Sequence, residues 1–230
     1  MTTNPIYVAI DTSDLAAAEA LARAVAPHVG GLKLGLQFFM AHGPDGVRRM
    51  QAFGLPVFLD VKLHDIGNTV AGAMTSLAPL AVAIVNVHAS IGVEAMKAAR
   101  AVIDPATAII AVTVLTSFDD ADLAAIGVPA RVPDQVAHFA AMTRAAGLQG
   151  IVCSGSEAAA TRAAWPDAMI VVPGVRPAGG DLGDQKRVMT PRDAVDAGAS
   201  ILVVGRPITA AADPAAAAAA IAETLGLSGL

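Results

Sequence analysis

The chain of 230 residues holds a single cysteine, Cys153. One thiol excludes an intramolecular disulfide and any multi-cysteine metal knuckle, and it fits a reducing cytoplasm. Aromatic residues make up only 3% of the chain, too few for a base-stacking platform. Positive charge is also short: 15 Lys and Arg stand against 20 Asp and Glu, a net of −5. Nucleic acid and anionic membrane both reward a positive field, so neither is expected as a partner. No secretory signal is expected, because residues 1–14 carry Pro5 and Asp11 and lack a basic start leading into a long apolar run. Residues 66–93 carry no Lys, Arg, Asp or Glu and are long enough to span a bilayer. They also contain Gly67, Asn68, Thr69, Gly72, Pro79, Asn86 and His88. Pro79 divides the stretch into a helix-like part and a β-branched part, so a buried helix and a buried strand are expected in place of a membrane span.

What the sequence does contain is an alternation. Short, nearly continuous apolar runs occur at 6–10, 31–34, 57–61, 82–87, 108–114, 150–153, 169–172 and 201–204. That is the pattern of parallel strands buried on both faces. Segments of helical character, rich in alanine, follow at 15–26, 47–53, 69–77, 93–102, 133–146, 157–163, 191–197 and 214–225. Thr190 before Pro191 and Asp213 before Pro214 each supply a cap and a first-turn proline. Eight units of each kind predict an α/β fold, a (β/α)8 TIM barrel, as one domain over residues 1–230. A doubly wound sheet would place a glycine-rich loop after its first strand, and Asp11-Thr12-Ser13-Asp14 is not one.

Barrels of this kind carry their sites at the C-terminal strand ends. The residues leaving the expected strands are Asp11, Lys33, the trio Asp60, Lys62 and Asp65, then His88, Thr116, Ser154, Arg176, Gly205 and Arg206. The chain has only four lysines, and Lys33 and Lys62 both fall at strand ends in apolar surroundings. That is a costly place for an ammonium without a partner. On a regular strand, residues two apart share a face, so Asp60 and Lys62 are expected to point together into the mouth. Asp65, at an odd offset, has to come round through the loop or serve a different site. An isolated Asp-x-Lys reads first as a structural ion pair. Adding Asp11 and Lys33 reverses that preference, because four charges converging on one mouth have no packing purpose.

The last strand end, Val203-Val204-Gly205-Arg206-Pro207, puts glycine and arginine beside a short helix start, which suits a phosphate. Pro173-Gly174-Val175-Arg176-Pro177 leads into a glycine-rich polar loop carrying Gln185, expected to act as a lid with a second phosphate-reaching arginine. His64 and His88 lack partners at zinc spacing, so no metal is expected. Cys153 reads as a buried inert thiol, and His28, His42 and His138 as surface or packing residues.

The run Asp60-Val61-Lys62-Leu63-His64-Asp65-Ile66-Gly67-Asn68-Thr69 closely resembles the signature of the orotidine 5′-phosphate decarboxylase family. The resemblance extends, in the family's order, through Ala9-Ile10-Asp11, Leu32-Lys33-Leu34-Gly35, Val114-Leu115-Thr116-Ser117, Pro173-Gly174-Val175-Arg176, Gly183-Asp184-Gln185-Lys186-Arg187 and Val204-Gly205-Arg206-Pro207. Gly67 departs from it, since many members carry proline there, but it lies outside the charged set. The resemblance implies a cofactor-independent, cytoplasmic homodimer that converts orotidine 5′-monophosphate to uridine 5′-monophosphate in de novo pyrimidine synthesis. By motif, Lys62 matches the proton donor to ring carbon 6 and Asp60 the carboxylate beside it. Asp65 matches the acid supplied across the interface to the neighbouring subunit's site. Asp11 and Lys33 resemble the ribose-hydroxyl contacts, with Lys33 also close to the reacting base, and Thr116 the contact to the pyrimidine edge. Arg176, Gln185, Gly205 and Arg206 match the phosphate-binding set, and Thr69 a substrate contact.

Two rival readings stay in view. A metal-dependent sugar-phosphate decarboxylase or aldolase on a similar barrel shares the Asp-x-Lys-x-x-Asp core, but places a carboxylate for magnesium where Lys33 stands here. A non-catalytic phosphate-ligand sensor would need the anion site without the charged set.

Overall fold

The computed structural model describes residues 4–177 and 189–227. Its strands are β1 Ile6–Ile10, β2 Gly31–Gly35, β3 Val57–Leu63, β4 Ile84–His88, β5 Ala108–Val112, β6 Gly150–Val152, β7 Met169–Pro173 and β8 Ile201–Val204. Each pairs in parallel with the next, and β8 pairs with β1, so the sheet closes into the expected TIM barrel. The helices are α1 Leu15–Val25, α2 Leu36–Gln51, α3 Gly67–Leu77, α4 Val93–Ala101, α5 Asp120–Ala125, α6 Val132–Ala145, α7 Gly155–Ala164, α8 Pro191–Asp196, α9 Arg206–Thr209 and α10 Pro214–Thr224. The charge-free stretch is α3 followed by β4, and among the described residues no helix is long and apolar enough to cross a membrane.

Side-chain alternation along the strands divides the apolar residues between two cores. Ile6, Val8 and Ile10 of β1 face outward to the helices, while Tyr7 and Ala9 point into the barrel. The inner core is small, built on Tyr7, Ala9, Phe58, Ile84, Ile110, Val171, Ile201 and Val203. The outer one is far larger and takes in the buried faces of the helices, such as Phe38, Val47 and Met50 of α2. Each fully buried Leu, Ile or Phe there contributes roughly 1.5–3 kcal/mol relative to an exposed one.

The structure corrects several element boundaries. Helix α2 begins at Leu36 and not at 47, because Gly43 and Pro44, two residues that ordinarily break a helix, are accommodated inside it by a kink. Gly43 sits at φ 56°, and Pro44 begins a second helical run in which its missing N–H costs nothing. Helix α5 was not expected; its signal is the reciprocal cap in which Asp119 and Asp122 each accept from the other's backbone N–H. β4 starts at Ile84, since Ala81 takes a left-handed φ of 47° after a tight turn. β5 ends at Val112, short of the expected 114.

The largest departure lies in β3, which continues to Leu63. Leu59 pairs with Val85, but Leu63 pairs with Val87, so β3 takes four steps where β4 takes two. The surplus is a bulge over 60–62, with Lys62 at φ 51°.

Close strand contact at the opposite end of the barrel sets a different constraint. A Cβ on Gly150 of β6 would lie 1.9 Å from the carbonyl oxygen of Met169 in the adjacent strand. Backbone cannot rotate out of the way as a side chain can. Gly150→Ala is therefore expected to lower stability by about 1–3 kcal/mol in denaturant unfolding.

Candidate active site

The C-terminal strand ends surround a cleft of about 1040 Å³. Asp11, Lys33, Asp60, Lys62, Thr116, Arg176, Gly205 and Arg206 all line it. Asp65 and Thr69 do not: both are exposed, in the turn after β3 and the first part of α3. Asp65 uses one carboxylate oxygen to accept from the Ile66 N–H at 2.7 Å. Gln185 lies outside the described residues. Ser154 is also corrected, because it caps α7 and does not line the cleft, giving its hydroxyl and its backbone N–H to Glu157 at 2.6 and 3.0 Å.

Four side chains form a line of alternating charge. Asp11 Oδ1 lies 3.1 Å from Lys33 Nζ, Lys33 Nζ lies 3.2 Å from Asp60 Oδ2, and Asp60 Oδ1 lies 2.6 Å from Lys62 Nζ. Room for the first pair comes from Gly35. A Cβ there would sit 2.3 Å from Asp11 Oδ1 and 2.9 Å from Lys33 Nζ. The two ammonium groups differ in access: the Lys33 side chain is 9% exposed and the Lys62 side chain 30%. Both line the cleft, and Lys62 is the more open of the two.

Asp60 holds the line together. Burial pushes its carboxyl up, the largest single effect, but the Lys33 and Lys62 charges and the hydrogen bonds from Lys62 and Asn86 outweigh it. Its pKa ends below the ordinary carboxylate value. His88, at the end of β4, moves the opposite way from a paired histidine. Burial, then the His64 and Lys62 charges, lower its pKa against a smaller pull from Asp60. Its ring meets that of His64 edge to face at 5.6 Å, and His64 Nε2 lies 3.0 Å from Ser90 Oγ. Among the described residues, no three or more His, Cys, Asp or Glu gather as a metal-holding set. Cys153 is buried, as expected from the sequence, and His42, expected at the surface or in packing, packs its ring at a tilt against Phe38.

Asp60 and Lys62 do meet in the mouth, but not because a regular strand alternates. The bulge puts Lys62 into the left-handed region, which costs a residue with a Cβ roughly 1–2 kcal/mol. Its backbone N–H donates to Asn86 Oδ1 at 2.8 Å, and Asn86 Nδ2 donates to Asp60 Oδ1 at 2.7 Å. Asn86 is fully buried. In the sequence it stands out only as a polar residue inside the charge-free stretch. Its signal was present: an amide two residues after Ile84, at a position that faces inside the barrel.

Also in the cleft wall, Arg176 is buried, with Nη1 donating to its neighbour Val175 O at 3.0 Å and its backbone N–H to Met189 O at 3.0 Å. Gly205 precedes α9, and Arg206 opens that helix with its side chain at the surface.

Comparison with known proteins matches nearly the whole chain. The family described as orotidine 5′-phosphate decarboxylase / HUMPS matches residues 4–221. An orotidine 5′-phosphate decarboxylase from Sphingopyxis alaskensis is 57% identical over 223 residues, covering 97% of this chain and 100% of that protein. One from Novosphingobium aromaticivorans is 57% identical over 222 residues, covering 96% and 99%. The crystal structure of orotidine 5′-phosphate decarboxylase from Lactobacillus acidophilus has a TM-score of 0.82 to this chain at 32% identity, covering 98% and 100%. With the motifs, the closed barrel and these matches in agreement, the chain belongs to the orotidine 5′-phosphate decarboxylase / HUMPS family.

Proposed function

We propose that this chain decarboxylates orotidine 5′-monophosphate to uridine 5′-monophosphate in pyrimidine synthesis, without a cofactor, and that Lys62 delivers the proton to ring carbon 6. The observation that carries this reading is the line Asp11–Lys33–Asp60–Lys62 in the wall of a cleft that Arg176 and Arg206 also line. Family membership supports the same reaction.

The chemistry asked of the site is specific. When the bond from carbon 6 to the carboxylate breaks, its electron pair stays on carbon 6, where no adjacent carbonyl can delocalise it. A fixed ammonium at that point stabilises the charge as it develops, then passes a proton to carbon 6 and is left as a neutral amine, recharged from solvent. Asp60, with its carboxyl held below the ordinary range, stays ionised and keeps Lys62 aimed. In this reading Asp11 and Lys33 take the ribose hydroxyls, with Lys33 also near the base, and Thr116 takes the pyrimidine edge. Arg176, Gly205, Arg206 and Gln185 take the phosphate. Binding energy from that remote group is then available to the transition state.

The metal-dependent rival is disfavoured by charge. A dication in this mouth would face Lys33 and Lys62, each already paired with Asp60. The sensor reading gives no purpose to the four-charge line. We also propose a cytoplasmic homodimer in which Asp65 and Thr69 serve the neighbouring subunit's cleft. Both are exposed and neither lines its own chain's cleft, and Ile66 between them is an apolar side chain left 72% exposed.

Loss of substrate followed by ultraviolet absorbance in excess chelator tests the reaction, and wild-type turnover is expected to continue. Lys62→Ala should keep the fold and nucleotide binding but lose at least about a thousandfold in kcat, the scale of a general acid that also stabilises charge. Arg206→Ala should raise KM more than it lowers kcat.

Shared sites make a second prediction. Lys62→Ala and Asp65→Ala, each inactive alone, should regain roughly a quarter of wild-type turnover when mixed and re-equilibrated, because half the dimers then carry one intact site. A mixture as inactive as its parts would rule out the crossed arrangement.

The depressed Asp60 carboxyl sets a pH signature. Its stabilising contribution is complete above the unfolded carboxylate value near pH 4 and is lost as pH falls through the lower folded value. The gap in unfolding free energy between wild type and Asp60→Asn should therefore be constant from about pH 7 to about pH 4 and close only below it.

A further inference from the structure

We infer that Asn86 is a positioning residue for the proton donor, acting through the bulge in β3; this rests on the reaction proposed above. The bulge removes β3 from its ladder just where Lys62 stands, with pairing lost between Leu59 and Leu63. A backbone N–H freed in that way must find another acceptor when it is shielded from water. Asn86, on β4 between the paired residues Val85 and Val87, supplies it from its side chain at 2.8 Å.

The orientation of the amide follows from chemistry. A carboxylate can only accept, so the atom that Asn86 turns toward Asp60 Oδ1 at 2.7 Å has to be its nitrogen. Its oxygen is then committed to the Lys62 N–H. One side chain thereby grips both ends of the Asp60–Lys62 pair: the backbone of the lysine and the carboxylate that receives the lysine's ammonium. Asn86 is fully buried and does not line the cleft, so it touches no bound nucleotide. Neither leucine nor aspartate could replace it in both roles. Leucine, of similar size, offers no hydrogen bond, and aspartate would accept from Lys62 while repelling Asp60.

The experiment compares wild type, Asn86→Ala and the near-isosteric Asn86→Asp in steady-state decarboxylation, with hydrogen exchange at the Lys62 amide followed in parallel. In folded Asn86→Ala, kcat is expected to fall about a hundredfold, the scale of an ångström's misplacement, while KM stays within about threefold. The Lys62 amide should exchange faster than in wild type. Asn86→Asp should keep that amide slow yet still lose kcat, because the donor to Asp60 is gone. A purely structural role would lower stability and leave kcat per folded molecule unchanged. A kcat near wild type in Asn86→Ala, a loss confined to KM, or an unchanged Lys62 exchange rate would each overturn the inference. Failure of the wild-type chain itself to turn over orotidine 5′-monophosphate would instead overturn the reaction, and with it the role of Asn86 in proton delivery. The exchange data, which need no substrate, would still decide whether Asn86 holds the bulge.

Discussion

The Asp60 carboxylate is the constraint on which the mouth of this barrel depends. It is buried, and a buried charge survives only when donors surround it. Three do: Lys33 on one oxygen, and Lys62 and Asn86 on the other. They come from β2, β3 and β4, so a single group ties three consecutive strands at their C-terminal ends. The inner core beneath it is apolar and continuous, built on Phe58 and Ile84 from two of those strands. The result is a polar platform resting on a hydrophobic plug, with its donors fixed before any substrate arrives. Such preorganisation is what electrostatic catalysis requires, since no reorientation is then needed as charge develops.

Much of this was legible in the sequence because barrels impose a simple grammar. Nearly continuous apolar runs separated by helical segments announced eight strands, and their ends announced Asp11, Lys33, Asp60 and Lys62. The four charges meet because β1, β2 and β3 are consecutive parallel neighbours with their ends side by side, a consequence that strand counting already contains. Boundaries were less legible where a local breaker was overruled. Gly43 and Pro44 look like the end of a helix, but packing of Phe38 and Val47 on the same core carries α2 across them.

The bulge in β3 was beyond reach for a different reason. Nothing in Val57–Leu63 marks Lys62 as left-handed, for lysine has no special tolerance of that region. The conformation is imposed from the adjacent strand by Asn86, and pairing between strands is not written in either one alone. Ser154 misled for a local reason instead. It leaves β6 as a site residue should, yet Glu157 three positions later claims it for a helix cap.

The division of the apolar residues into a small plug inside the barrel and a broad layer outside it has an evolutionary consequence. Helix faces such as that of Phe38, Val47 and Met50 in α2 pack on the outer wall without lining the cleft, unlike α1, whose Leu21 does both, and substitutions on such faces adjust cohesion without touching the charged line. A lineage adapting to a hotter or colder habitat can thus retune its melting point through the outer layer, one methyl group at a time, while the plug under Asp60 stays as it is. On those faces, heat tolerance and turnover can be inherited apart.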